Sequence, residues 1–192
     1  MPMTMGMAIS MYTNTDCTLG TERLHILVVG LGNLLLQDDG VGIHVIRALQ
    51  QEAPPGVCIA DVGCAVLDAL HLYEWADKIL AIDAMQAGHK PGTIYRFDEE
   101  AIADVDMPMS LHEVSIKSAF RFLPEPPKAE VTFLAVEPGT IDYGLDLTPE
   151  VAASLPHVVR IALEIIDKWQ RQDVVYPSGL RLGAVPSSAV AA

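Results

Sequence analysis

The sequence predicts an α/β fold: a three-layer α/β/α sandwich around a mostly parallel, twisted sheet of about five strands. Three observations lead there. Continuously apolar runs of strand length recur along the chain, segments with apolar residues at helical spacing alternate with them, and the 192 residues are 51% hydrophobic against 19% charged. Continuous hydrophobicity over a strand's length means burial on both faces, as in a parallel sheet covered by helices. Strands alternating with helices produce that architecture.

The elements follow in order. His25-Ile26-Leu27-Val28-Val29 is a β-branched-rich run that stops at Gly30. From Val41 onward, Val45, Ile46, Ala48 and Leu49 share one helical face. Further strand-like runs cover 57–61, 79–83 and 131–136, with a shorter one at 93–97. Residues 65–73, 113–123 and 149–170 read as helices. Pro149 suits a first helical turn and Thr148 its N-cap. Residues 1–23 read as a flexible extension whose repeated methionines leave the start site open, 24–174 as a single domain, and 175–192, rich in Ser, Ala, Gly and Pro, as a flexible tail.

Composition removes several function classes. A chain of this length fits one domain with a substantial core. The net charge is −13, and no Lys/Arg cluster offers a phosphate backbone a groove, so nucleic acid is not an expected partner. The acidic excess reads as a solvated surface. The longest apolar runs fall far short of the ~20 residues that span a bilayer. No basic stretch precedes an apolar one at the N-terminus, so a cytoplasmic protein is expected. Cys17, Cys58 and Cys64 lack CxxC spacing and suggest neither a disulfide framework nor a thiolate zinc site. Cys58 falls in an apolar run and reads as a core residue.

In open parallel sheets ligands bind beyond the carboxyl ends of the strands, so the strand-to-helix joints are where chemistry is sought. The first joint runs from Gly30 through Gly32 to Asp38, Asp39, Gly40 and Gly42. Gly30 and Gly32, with Asp61 at the end of the next strand, invite a dinucleotide reading, but Leu35 stands where GxGxxG needs glycine. Two carboxylates at a helix N-terminus are stabilised by its dipole and would repel a pyrophosphate. Asp38 reads equally as an N-cap, and Asp39 alone as a solvated first-turn acid. Asp83 ends an apolar strand, where a carboxylate needs a partner, either a ligand or backbone amides. His112 stands where a loop enters a helix; by itself it reads as structural or exposed, and His25, His44, His71, His89 and His157 read as structural. Two aspartates and an imidazole would make a three-ligand site for several borderline divalent ions. No GxSxG elbow, HExxH signature or Cys beside a plausible base occurs.

At these residues the chain resembles the NiFe hydrogenase maturation endopeptidases. The resemblance runs from about residue 26 to 170 in four ordered blocks: ILVVGLGNLLLQDDGVG, AIDAMQAGHKPGTIYRF, SLHEVSIKSAF and AVEPGTIDYGLDLTPEV. It implies an endopeptidase that removes the C-terminal extension from the precursor of the hydrogenase large subunit once nickel is installed. Asp39, Asp83 and His112 match the family's metal-binding positions, and Asp61 an acid implicated in processing. Asp38, the first of the acidic pair, is not at the ligand position. The resemblance also implies that the nickel is recognised in the substrate, with another divalent ion such as zinc or cadmium able to occupy the site in isolation. A monomer is expected. Val62 and Cys64, where the usual pattern is closer to Asp-Gly-Gly-Thr, and Glu113 and Ser115, where Gln and Gly are common, depart from the family and leave the cognate hydrogenase open.

Two mechanisms follow. A metal held there would polarise the scissile carbonyl and lower the pKa of a bound water. Alternatively, the metal is only a recognition handle and Asp38 or Asp61 acts as the base, which requires a raised pKa. A non-catalytic nickel metallochaperone or precursor-binding module using the same ligands is the reading from another class.

Overall fold

A computed structural model describes residues 24–52, 54–98, 116, 118–125 and 127–172. The extension and tail expected at 1–23 and 175–192, and His112, lie outside these residues. Strands β1 (Ile26–Leu31), β2 (Val57–Gly63), β3 (Lys78–Ala84), β4 (Ile94–Asp98) and β5 (Glu130–Val136) form one five-stranded sheet in the order β2-β1-β3-β5-β4. β1 pairs in parallel with β2 and β3, and β3 with β5; only β4, on the edge, runs antiparallel. The five apolar runs named from the sequence are these five strands. The weakest of them, β4, is half-exposed because it covers an edge.

Both faces of the sheet are covered, which is why the central runs are apolar without alternation. Ile26 and Val28 pack on one side with α1 (Val41–Leu49) and the last helix, called α3 here (Pro149–Gln172). Leu27, Val29 and Leu31 pack on the other side with α2 (Leu70–Trp75), Ile116 and Ala119. The helix expected over 65–73 is divided, a 3-10 turn at Val66–Ala69 leading into α2. Cys58 is buried in β2 as expected. No helix among the described residues is long and apolar enough to cross a membrane.

Strand order 2-1-3 makes the chain leave β1 toward one side and return on the other. That reversal opens a crevice at the carboxyl ends of β1 and β3. The register sets Gly30 level with both Asp61 of β2 and Ile82 of β3, so Asp61 and Asp83 reach the same edge of the sheet.

Candidate functional site

The first joint is built by close backbone approach. Gly32 has φ +111°, and a Cβ there would stand 1.8 Å from the carbonyl oxygen of Asp39. A Cβ on Gly42 would stand 2.2 Å from the Ile82 carbonyl oxygen, so only glycine lets α1 start against the sheet. Close approach thus accounts for the glycines that suggested a dinucleotide. A 3-10 turn, Gln37–Gly40, carries Asp38 and Asp39 into α1. Asp39 is half-buried, and its Oδ2 accepts the Asn33 amide at 2.8 Å.

Asp38 is not an N-cap. No side chain caps the 3-10 turn or α1. Asp38 is fully buried, and its carboxylate accepts the amides of Gly139 (2.8 Å), Thr140 (3.0 Å) and Thr148 (2.7 Å) and the Thr148 hydroxyl (2.7 Å). Three of these bonds fall on Oδ2 and one on Oδ1. Thr148 does precede α3, and its carbonyl accepts the Ala152 amide, but its hydroxyl is given to Asp38. The closing segment is thereby tied to the first joint. Leu36 bridges Gly144, Gln37 donates to the Gly144 carbonyl, and Gly144 donates to Leu35.

Asp83 is 1% exposed at the end of β3, and its Oδ1 accepts the Ala84 amide at 2.8 Å. The 3-10 turn that carries Asp39 packs against β3, which carries Asp83. Burial pushes the Cys64 thiol up, and the charges of Asp39 and Asp83 push it further. Cys64 Sγ donates to the Gly32 carbonyl at 3.4 Å. Asp61, near the end of β2, has a different balance: burial raises its carboxyl above the ordinary aspartate value, and Arg47, at 4.0 Å, opposes the rise. A raised carboxyl is what a general base requires.

Asp39, Asp61 and Asp83 all stand at the carboxyl end of the sheet, with the turn of Asp39 packed on the strand of Asp83, while His112 lies outside the described residues. Among the described residues no three His, Cys, Asp or Glu side chains gather to hold a metal. Two hard carboxylates leave a borderline ion short of ligands, and an imidazole would fit the set. Of the histidines read as structural, His25 stacks on Trp75 and contacts Asp77, and His89 meets the Tyr95 ring edge-on.

Sequence reasoning missed Glu137. It is 4% exposed, just after β5, and accepts the amides of Ala87 (2.9 Å) and Gly88 (3.0 Å) and the Tyr95 hydroxyl. Burial alone would raise its carboxyl, but the Tyr95 hydroxyl and the amides of Ala87, Gly88 and His89 outweigh that and hold it below the usual glutamate value. Glu137 therefore fixes the loop that follows Asp83. The signal was present: a carboxylate closing an apolar strand, the same signal that singled out Asp83.

Comparison with known proteins agrees with this fold. The family model for hydrogenase maturation proteases matches residues 43–165, a span that includes Asp61, Asp83 and His112 and begins just after Asp39. The Hydrogenase 2 maturation protease of Escherichia coli K12 is 34% identical over 139 residues, covering 69% of this chain and 84% of its own. The hydrogenase expression/formation protein HoxM of Cupriavidus necator is 28% identical over 151 residues, 75% of each chain. Among solved structures, the hydrogenase maturating endopeptidase HybD of E. coli superposes with a TM-score of 0.66 at 30% identity, covering 76% of this chain and 93% of its own. HybD of Thermococcus kodakarensis gives 0.65 at 28% identity, with 74% and 99% covered.

Proposed function

The chain belongs to the hydrogenase maturation protease family, and on that premise we propose that it cuts the C-terminal extension from the precursor of a NiFe hydrogenase large subunit after nickel insertion. It is a peptide hydrolase. Asp39, Asp83 and His112 bind the nickel that the precursor carries, which presents the adjoining peptide to Asp61. The observation that supports this most is the placement of a buried strand-end carboxylate, Asp83, on the strand against which the turn carrying Asp39 packs, at the point where the strand order reverses. Carboxylates at a helix N-terminus disfavour a phosphate and suit a cation.

Asp61 takes the proton of the attacking water and returns it to the leaving amine. Its raised pKa makes it a stronger base than an ordinary aspartate. Within the recognition-handle mechanism Asp61 is preferred to Asp38 as base because the buried Asp38 carboxylate already accepts four hydrogen bonds.

The test is processing of nickel-loaded and nickel-free precursor, read as a mass shift at the precursor's C-terminus. Cleavage is expected only with nickel; equal cleavage of both would overturn the recognition role. Asp39→Asn, Asp83→Asn and His112→Ala should each abolish cleavage while circular dichroism stays that of the parent. Retained cleavage in all three removes the site.

A further inference from the structure

Among the described residues six large apolar side chains are well exposed, and four of them stand on one ribbon: Leu35 (58%), Ile141 (44%), Tyr143 (87%) and Leu145 (65%). The ribbon is the pairing of the first joint with the closing segment, in which Gly144 exchanges backbone bonds with Leu35 and Gln37. Asp38 holds it from beneath through Gly139, Thr140 and Thr148. These side chains are therefore presented on a backbone already fixed, and a partner meeting them would not bear the cost of ordering it. Clustered exposed apolar groups mark interaction surfaces, and tyrosine is a frequent anchor in them.

Charge narrows the occupant. Asp142 and Asp146 stand exposed between the apolar residues, and the chain has no Lys or Arg from 33 to 46 or from 129 to 159. A second copy of this chain would bring the same negative charges against them, whereas a partner with Lys or Arg beside apolar side chains is complementary. Position narrows it further, because Leu35 and Asp39 belong to one loop. A molecule whose metal is held at Asp39 passes this ribbon.

We infer that the ribbon of Leu35, Ile141, Tyr143 and Leu145 is the docking surface for the hydrogenase large-subunit precursor, receiving an apolar segment flanked by basic residues. The inference rests on the processing reading above and adds where the precursor is held. Docking supplies binding distant from the scissile bond, so its loss raises KM and leaves kcat at saturation unchanged.

The experiment compares the full-length parent with Tyr143→Ser/Leu145→Ser and Asp142→Asn/Asp146→Asn, the asparagine keeping the acceptor that the Tyr143 amide uses. Cleavage kinetics on nickel-loaded precursor are measured beside binding of the same precursor and thermal midpoints. The serine variant should raise KM about tenfold or more at unchanged kcat and thermal midpoint. The asparagine variant should weaken binding a few-fold and flatten its salt dependence. Cleavage by the parent with an unaltered KM in the serine variant overturns the docking surface and leaves the processing reading standing. Binding that depends on Tyr143 and Leu145 without any cleavage by the parent supports the surface and overturns the processing reading. Neither binding nor cleavage by the parent overturns both. A parent that sediments as a dimer while the serine variant is monomeric assigns the surface to a second copy and overturns the inference.

Discussion

Asp38 and Asp61 stand at the same end of one sheet, yet their surroundings are opposite. On the closing-segment side, four donors surround the buried Asp38 carboxylate. On the β2 side, Asp61 has a third of its side chain exposed, and Arg47 stands near it at 4.0 Å. The first carboxylate is part of the framework, and the second is open to solvent. The difference separates two kinds of acid that composition counts as one.

The contrast can be broken first on the β2 side. Asp61→Asn should lower kcat about 10²- to 10⁴-fold, the usual range for loss of a general base, while stability changes by less than about 0.5 kcal/mol. Single-turnover cleavage and a urea melt on the same sample check both halves; a large stability loss would make Asp61 a framework acid like Asp38. On the other side, Asp38→Ala removes the buried acceptor shared by four part-buried donors. It should cost about 3 kcal/mol of stability or more, seen as a lower denaturation midpoint. A small loss there would mean that water enters and replaces the carboxylate.

The smallest effect sharpens the contrast. A base must be ionised, so activity is lost as pH falls through the Asp61 pKa, which lies above the ordinary aspartate value. Arg47 favours the ionised form. Arg47→Met should therefore move the acid limb of kcat to higher pH, by less than about one unit because the guanidinium is half-exposed and screened. A limb that stays in place or moves down would separate that limb from Asp61.

Much of the fold was legible because the sheet is buried on both faces, which writes each central strand as an unbroken apolar run. Asp83 and Asp61 were legible for a related reason, since each closes such a run at the end where ligands bind. Asp38 was not, because its partners lie 101 to 110 residues away and no local pattern encodes them. Thr148 was placed correctly at the start of α3, but helix-start rules assign its hydroxyl to the helix, and tertiary contact directs it to Asp38. The exposed ribbon was equally hidden: periodicity reports what is buried, and Tyr143 and Leu145 belong to neither helix nor strand.

The closing segment has one end at Glu137, which grips the loop after Asp83, and the other at Thr148, which grips the joint carrying Asp39. It works as a strap across the carboxyl end of the sheet, tying together two loops to which it does not belong. On the proposed reading, refitting the site to a larger or smaller ion would leave both aspartates alone and edit residues 138–147.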